Sequence, residues 1–198
     1  MDRLDYTKGI LPRLQALELA CEHGLRDVTM VQIATPSRER VAHYQITRAE
    51  VEQEVGRING RFGRLGRPVV HYLHTTITKA DLLTLYAAAD VMVVTPFKDG
   101  MNLVAKEYVS CHPDGSGALV LSEFAGAAEE LTGAHLCNPY SVGSIESALV
   151  SAVNSAGSER SQTAMRGMFE HLKNHDVHRW AGEFVRRLGQ AREAAERP

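Results

Sequence analysis

The stretch Val93–Tyr108, VVTPFKDGMNLVAKEY, places Lys98, Asp99, Gly100 and Asn102 directly after a run of β-branched apolar residues. A strand ending at Val94, a glycine turn and a helix starting near Asn102 would aim unpaired N–H groups and the positive end of a helix dipole at one point. That arrangement suits a phosphate. Glu107 then falls about one and a half turns into the helix. A carboxylate there can accept hydrogen bonds from two vicinal hydroxyls, as a ribose presents them. An ordinary strand–turn–helix junction with surface charges has the same spacing, so both readings stay open on pattern alone.

Two further clusters bear on the same chemistry. Arg3 and Lys8 flank a turn ending in Gly9. Two cations five apart could neutralise a diphosphate, although paired surface cations are the commoner meaning of such a pattern. Ser122–Glu130 is rich in small residues, which permit close approach of a ligand or, more commonly, of a neighbouring helix. His171, His175 and His178 stand at i, i+4 and i+7, so one helix would align them as a metal face. Only Asp176 is at hand to complete a ligand set, and no metal is expected. His71 and His74 flank a strand end and read as packing or loop residues. The chain has no P-loop, no G-x-G-x-x-G, no metal-binding D-x-D and no G-x-S-x-G elbow.

Bulk properties narrow the classes further. The 198 residues are 44% hydrophobic, enough for one sizeable core, and the net charge is −2 with no basic block. Nucleic-acid binding is not expected. No apolar run is long enough for a membrane span, and the first residues lack the apolar core of a secretory signal. Cys21, Cys111 and Cys137 are odd in number and widely spaced, which fits reduced thiols in a cytoplasmic protein.

The elements that must position these residues alternate. Helices are expected at Ile10–Glu22, from Ser37 as N-cap through Val41, Tyr44, Val51, Val55 and Ile58, at Thr78–Ala89, Asn102–Cys111 and Ala125–Leu131, and after Ser144 with a break near Gly157. Strands are expected at Val28–Ala34, Val69–Leu73, Asp90–Val94, Ala118–Leu121 and Ala134–Cys137. Asn59–Pro68, NGRFGRLGRP, reads as a Gly/Arg loop. Short apolar strands without alternation, separated by helices, imply a parallel, doubly wound, Rossmann-like α/β sheet buried on both faces. Ligands bind such sheets at the carboxyl ends of the strands.

RLDYTKG (Arg3–Gly9), ATPSRERV (Ala34–Val41), GRINGRFG (Gly56–Gly63), TPFKDGMNLVAKEYV (Thr95–Val109), GALVLSEFAGAAEEL (Gly117–Leu131) and CNPY (Cys137–Tyr140) occur in that order. On these motifs the chain resembles the trehalose-6-phosphate synthases of glycosyltransferase family 20, most closely their actinobacterial branch. The likeness runs through essentially the whole chain.

The resemblance implies the C-terminal, donor-binding half of a two-domain GT-B glycosyltransferase. Such an enzyme transfers glucose from UDP-glucose to glucose 6-phosphate with retention of the α configuration. By resemblance, Arg3 and Lys8 contact the donor diphosphate and Arg38 the acceptor phosphate. Ile77 lies where backbone groups meet the base. Asp99, Gly100 and Met101 contact the transferred glucose. Asn102, Leu103, Val104, Ala105, Lys106 and Glu107 form the helix start that receives phosphate and ribose. No cofactor or metal is implied.

Residues 1–174 would form the nucleotide-sugar domain, and 175–198 a helix crossing to an N-terminal domain. The family's acceptor half and the first strand of the donor half are expected to be missing, as in a split or truncated gene product. The expected partners are the nucleotide sugar, glucose 6-phosphate, a separate N-terminal half and a second copy of the chain. A non-catalytic UDP-binding module, an inactive fragment, and an acceptor such as glycerol 3-phosphate are the competing readings. Preference among UDP, ADP and GDP is open.

Overall fold

The computed structural model describes residues 1–37 and 41–195, without the side chains of 192–195. It is a parallel α/β protein. Strands β1 (Asp2–Arg3), β2 (Met30–Thr35) and β3 (Val70–Leu73) form one three-stranded sheet. Strands β4 (Val91–Val94), β5 (Ala118–Ser122) and β6 (His135–Cys137) form another, each in the order given. Every pairing between these strands is parallel. Asp2 and Arg3, at the start of the opening motif, pair with Ala34 and Thr35 as a short strand.

Among the described residues, α1 (Ile10–Glu22), α2 (Ala42–Phe62), α3 (Lys79–Ala88) and α4 (Leu103–Ser110) connect successive strands, and α5 (Val142–Ser155), α6 (Glu159–Asn174) and α7 (Val177–Ala195) follow β6. Side chains set their starts. The Thr78 hydroxyl accepts from the Asp81 N–H at 3.1 Å and donates to its carboxylate at 2.7 Å. Ser141 and Ser158 cap α5 and α6 in the same N-cap geometry. The cap expected at Ser37 is followed by residues 38–40, outside the described residues, and α2 itself starts at Ala42. The N-cap of α2 is Val41, which has no capping side chain. The Gly/Arg loop is also shorter than its composition suggests, because α2 continues to Phe62. Asn59 has a reason to stay helical: its amide brackets the Val70 backbone with two hydrogen bonds of 2.8 Å. The helix expected at Ala125–Leu131 shrinks to a 3₁₀ turn over Gly126–Glu129.

The core explains why β5 reads as an unbroken apolar run. All five of its residues are buried. Leu119 and Leu121 pack with Tyr108, Val109 and Met165 of α4 and α6, while Ala118 and Val120 pack with Ala16 and Ile145 of α1 and α5. Alternate side chains thus feed opposite cores, as the pleat requires. Strands β2, β3 and β6 depart from the expectation of two buried faces: Val31, Leu73 and Leu136 are exposed.

Candidate functional site

Gly9, at φ 63°, ends the 3₁₀ turn Tyr6–Lys8 and starts α1. A Cβ there would stand 2.0 Å from the Thr95 carbonyl oxygen, so only glycine lets this turn lie against the end of β4. The Phe97 N–H completes the junction by donating to the Thr7 carbonyl at 2.9 Å. The first turn of the chain and the loop after β4 are therefore one local structure.

That junction brings Lys8 to Asp99, ninety-one residues apart in sequence. The ammonium donates to the carboxylate at 2.6 Å, with both side chains less than one-fifth exposed. Burial would raise the Asp99 pKa. The Lys8 ammonium, the Met101 N–H and the Asn102 amide more than offset this and hold it below the usual carboxylate range. The Asp99 backbone is fixed from the other side, since its N–H donates to Phe124 and its carbonyl accepts from Gly126. Gly126 is needed there, because a Cβ would lie 2.2 Å from the Gly100 oxygen.

Asn102 makes the turn into α4 in the left-handed region, at φ 74°, and its side-chain oxygen accepts from the Ala105 N–H at 3.0 Å. The cap consumes that N–H. The Leu103 and Val104 N–H groups precede it at the open start of the helix. Glu107 is exposed and receives the Tyr86 hydroxyl on one carboxylate oxygen at 3.3 Å. Lys106 turns to Glu130 at 2.7 Å, and the Ala105 side chain is fully buried. Those two residues support the helix rather than face the loop. Met101 is exposed. Ile77 is half-buried ahead of α3, the helix that packs on α4. Arg3 is exposed at the end of β1. Arg38 lies outside the described residues.

Three features escaped sequence reasoning. Arg13 is 2% exposed and donates to Asp2 at 2.8 Å, to Gln32 and Thr95 at 3.1 Å, and to the Lys8 carbonyl at 3.2 Å. An arginine inside an otherwise apolar helix stripe was the available signal. Tyr86 was unforeseen as the partner of Glu107. Phe97, Phe124 and Tyr140 are the third: Phe97 and Tyr140 stack at 4.8 Å, and Phe124 meets Tyr140 at 5.9 Å, clamping the loops after β4, β5 and β6. The histidine alignment forms only in part, since the His171 and His175 rings stack at 4.1 Å while His178 does not share their helix. Asn174 ends α6, so His171 and His178 are on different helices. Among the described residues no group of three His, Cys, Asp or Glu side chains is placed to hold a metal ion.

A parallel α/β sheet with cations, a carboxylate and an open helix start at its carboxyl ends defines a Rossmann-like unit of the GT-B kind. The chain belongs to glycosyltransferase family 20, whose model matches residues 1–190. It is 50% identical over 194 residues to a trehalose-6-phosphate synthase of Mycobacterium leprae, a match covering 96% of this chain and 39% of that protein. To the Mycolicibacterium smegmatis synthase it is 49% identical over 199 residues, covering 99% and 39%.

Among solved structures, it matches a UDP-forming α,α-trehalose-phosphate synthase from Burkholderia xenovorans in complex with glucose 6-phosphate. That match has a TM-score of 0.89 and 42% identity, covering 95% of this chain and 42% of that one. An Escherichia coli protein bound with UDP-2-fluoro glucose matches with a TM-score of 0.86 and 39% identity, covering 95% and 42%. The chain thus spans about 40% of the length of the relatives it matches.

Proposed function

We propose that this chain supplies the nucleotide-sugar side of a retaining glucosyl transfer from UDP-glucose to glucose 6-phosphate, giving trehalose 6-phosphate. The observation that carries the reading is the Lys8–Asp99 pair beside the open start of α4. It supports a diphosphate bound by Arg3, Lys8 and the Leu103 and Val104 N–H groups. Glu107 keeps one oxygen free of Tyr86 to accept ribose hydroxyls. Asp99 contacts the transferred glucose, and Ile77 the base.

Departure of the nucleoside diphosphate builds negative charge on its β-phosphate. The Arg3 and Lys8 cations and the helix start stabilise that charge, each cation contributing about 2–4 kcal/mol to the barrier by comparison with oxyanion-hole donors. The acceptor hydroxyl attacks on the face the diphosphate leaves, and the departing phosphate takes its proton. No metal is required by this scheme. Arg38 holds the acceptor's phosphate. Turnover requires an acceptor-side domain, to which residues 175–198 would cross.

Calorimetric titration of UDP into the chain tests the reading. Measurable binding is expected, weakened about tenfold, or ~1.4 kcal/mol, in Glu107→Ala and in Lys8→Ala. Absence of binding by the folded chain would falsify it. The chain alone is expected to make no trehalose 6-phosphate; robust turnover would remove the requirement for the second domain.

A further inference from the structure

A second cavity, of ≈390 Å³, opens at the amino ends of β2 and β3, between the end of α1 and the loop after α2. Six residues at ~3.3 Å each put it about 20 Å along β2 from the Lys8–Asp99 end. Arg26, Arg64, Arg67 and His71 line it, with Asp27 as its one carboxylate.

The arginines here differ from those nearby. Arg57 and Arg61 of α2 are paired with Glu18, Glu54 and Glu22, and Arg48 with Glu52. Arg64 and Arg67 have no carboxylate partner among the described residues. They also face each other. The Arg64 N–H donates to Arg67 at 3.0 Å and the Arg67 N–H to Arg64 at 2.8 Å, across a turn closed by Gly66 at φ 73°. Residues paired in this way project side chains to the same side, and like charges so placed repel. Arg26 is fixed over the Phe62 ring at 5.9 Å and donates to the Cys21 and Leu25 carbonyls.

From this geometry we propose that the Arg26–Arg64–Arg67 cavity is a binding site for a small organic phosphate monoester, separate from the carboxyl-end site. A dianion could be held between the side chains of this exposed pair through charge-assisted hydrogen bonds. Leu25 and Phe62 give its organic part an apolar floor.

The test is calorimetric titration of phenyl phosphate, and separately inorganic phosphate, into the 198-residue chain. The ester binds, and more tightly than inorganic phosphate. Arg64→Ala/Arg67→Ala weakens it about tenfold or more, Arg64→Lys/Arg67→Lys weakens it less, and Lys8→Ala leaves it within about twofold. In phosphate-free buffer the double alanine variant keeps or raises the urea midpoint, because it removes a repulsion. The site is overturned by no binding of the ester, by unchanged affinity in the double alanine variant, by loss on Lys8→Ala, or by a lowered midpoint. Equal affinity for ester and inorganic phosphate overturns the apolar contribution.

Discussion

The two three-stranded sheets hold their loops by different means. In the β4–β6 half, a fully buried central strand and backbone hydrogen bonds between adjacent loops fix Asp99 directly. In the β1–β3 half, β1 pairs with β2 through Asp2–Ala34 and Arg3–Thr35. There a buried side chain does the work: Arg13 ties Asp2 and Gln32 of the first half to Thr95 of the second and to the carbonyl of Lys8. In one half backbone hydrogen bonds position a site residue. In the other a polar hub does, and it is far more sensitive to one substitution.

Arg13→Met should therefore be the most damaging change. It leaves the Asp2 carboxylate, 5% exposed, without its cation, at a cost of about 3–5 kcal/mol. Urea unfolding measures this, and a loss under about 1 kcal/mol would remove the asymmetry between the halves. In the other half, Gly126→Ala drives a Cβ against the Gly100 oxygen. A cost of about 1–3 kcal/mol is expected, together with weaker UDP binding as the Asp99 loop moves. Unchanged stability and UDP affinity would show that the loop yields freely.

Tyr108→Phe removes a hydroxyl that donates to the Ala89 carbonyl at 3.0 Å and accepts from the Ala118 N–H at 3.2 Å. About 1–2 kcal/mol should be lost, with UDP affinity unchanged, since backbone pairing carries the site in this half. A large drop in affinity would contradict that.

The contact between the halves has a pH signature. Asp99 has a depressed pKa in the folded state, so its contribution is fully present above the unfolded value near 3.8 and is lost as pH falls through the lower folded value. Wild type and Asp99→Asn should thus differ by a constant amount in urea midpoint above about pH 5 and converge only in stronger acid. Convergence at neutral pH would mean the Lys8–Asp99 pair adds nothing. The smallest effect belongs to α7, where Trp180 and Phe184 stack on each other while 61% and 54% exposed. Trp180→Ala should change global stability by less than about 0.5 kcal/mol. A larger loss would show that α7 is part of the body.

Much of this was legible beforehand because it is local. Thr78 as a cap, Asn102 as a helix start and the strand ending at Val94 follow from short-range stereochemistry. The Asp99–Glu107 loop declared its chemistry through residue types at fixed spacing. The misread pieces depended on distant partners. Asn59 looked like a loop residue until Val70 supplied two hydrogen bonds, and the helix at Ala125 was cut short because the Gly126 and Ala127 N–H groups donate to the Asp99 and Met101 carbonyls. His171 and His175 stayed together, but the chain turned before His178.

By itself, the sequence determined the order of strands and helices, the family and the position of the Asp99–Glu107 loop, since periodicity, capping and local motifs act over a few residues. Only the tertiary structure decided that Lys8 meets Asp99, that Arg13 is buried beneath them, and that Arg64 and Arg67 pair across a turn with no carboxylate bonded to either among the described residues. Those relations join groups that are distant along the chain or share a turn whose geometry the residue letters do not state. Their energies are electrostatic and steric, and they exist only once packing has fixed the distances.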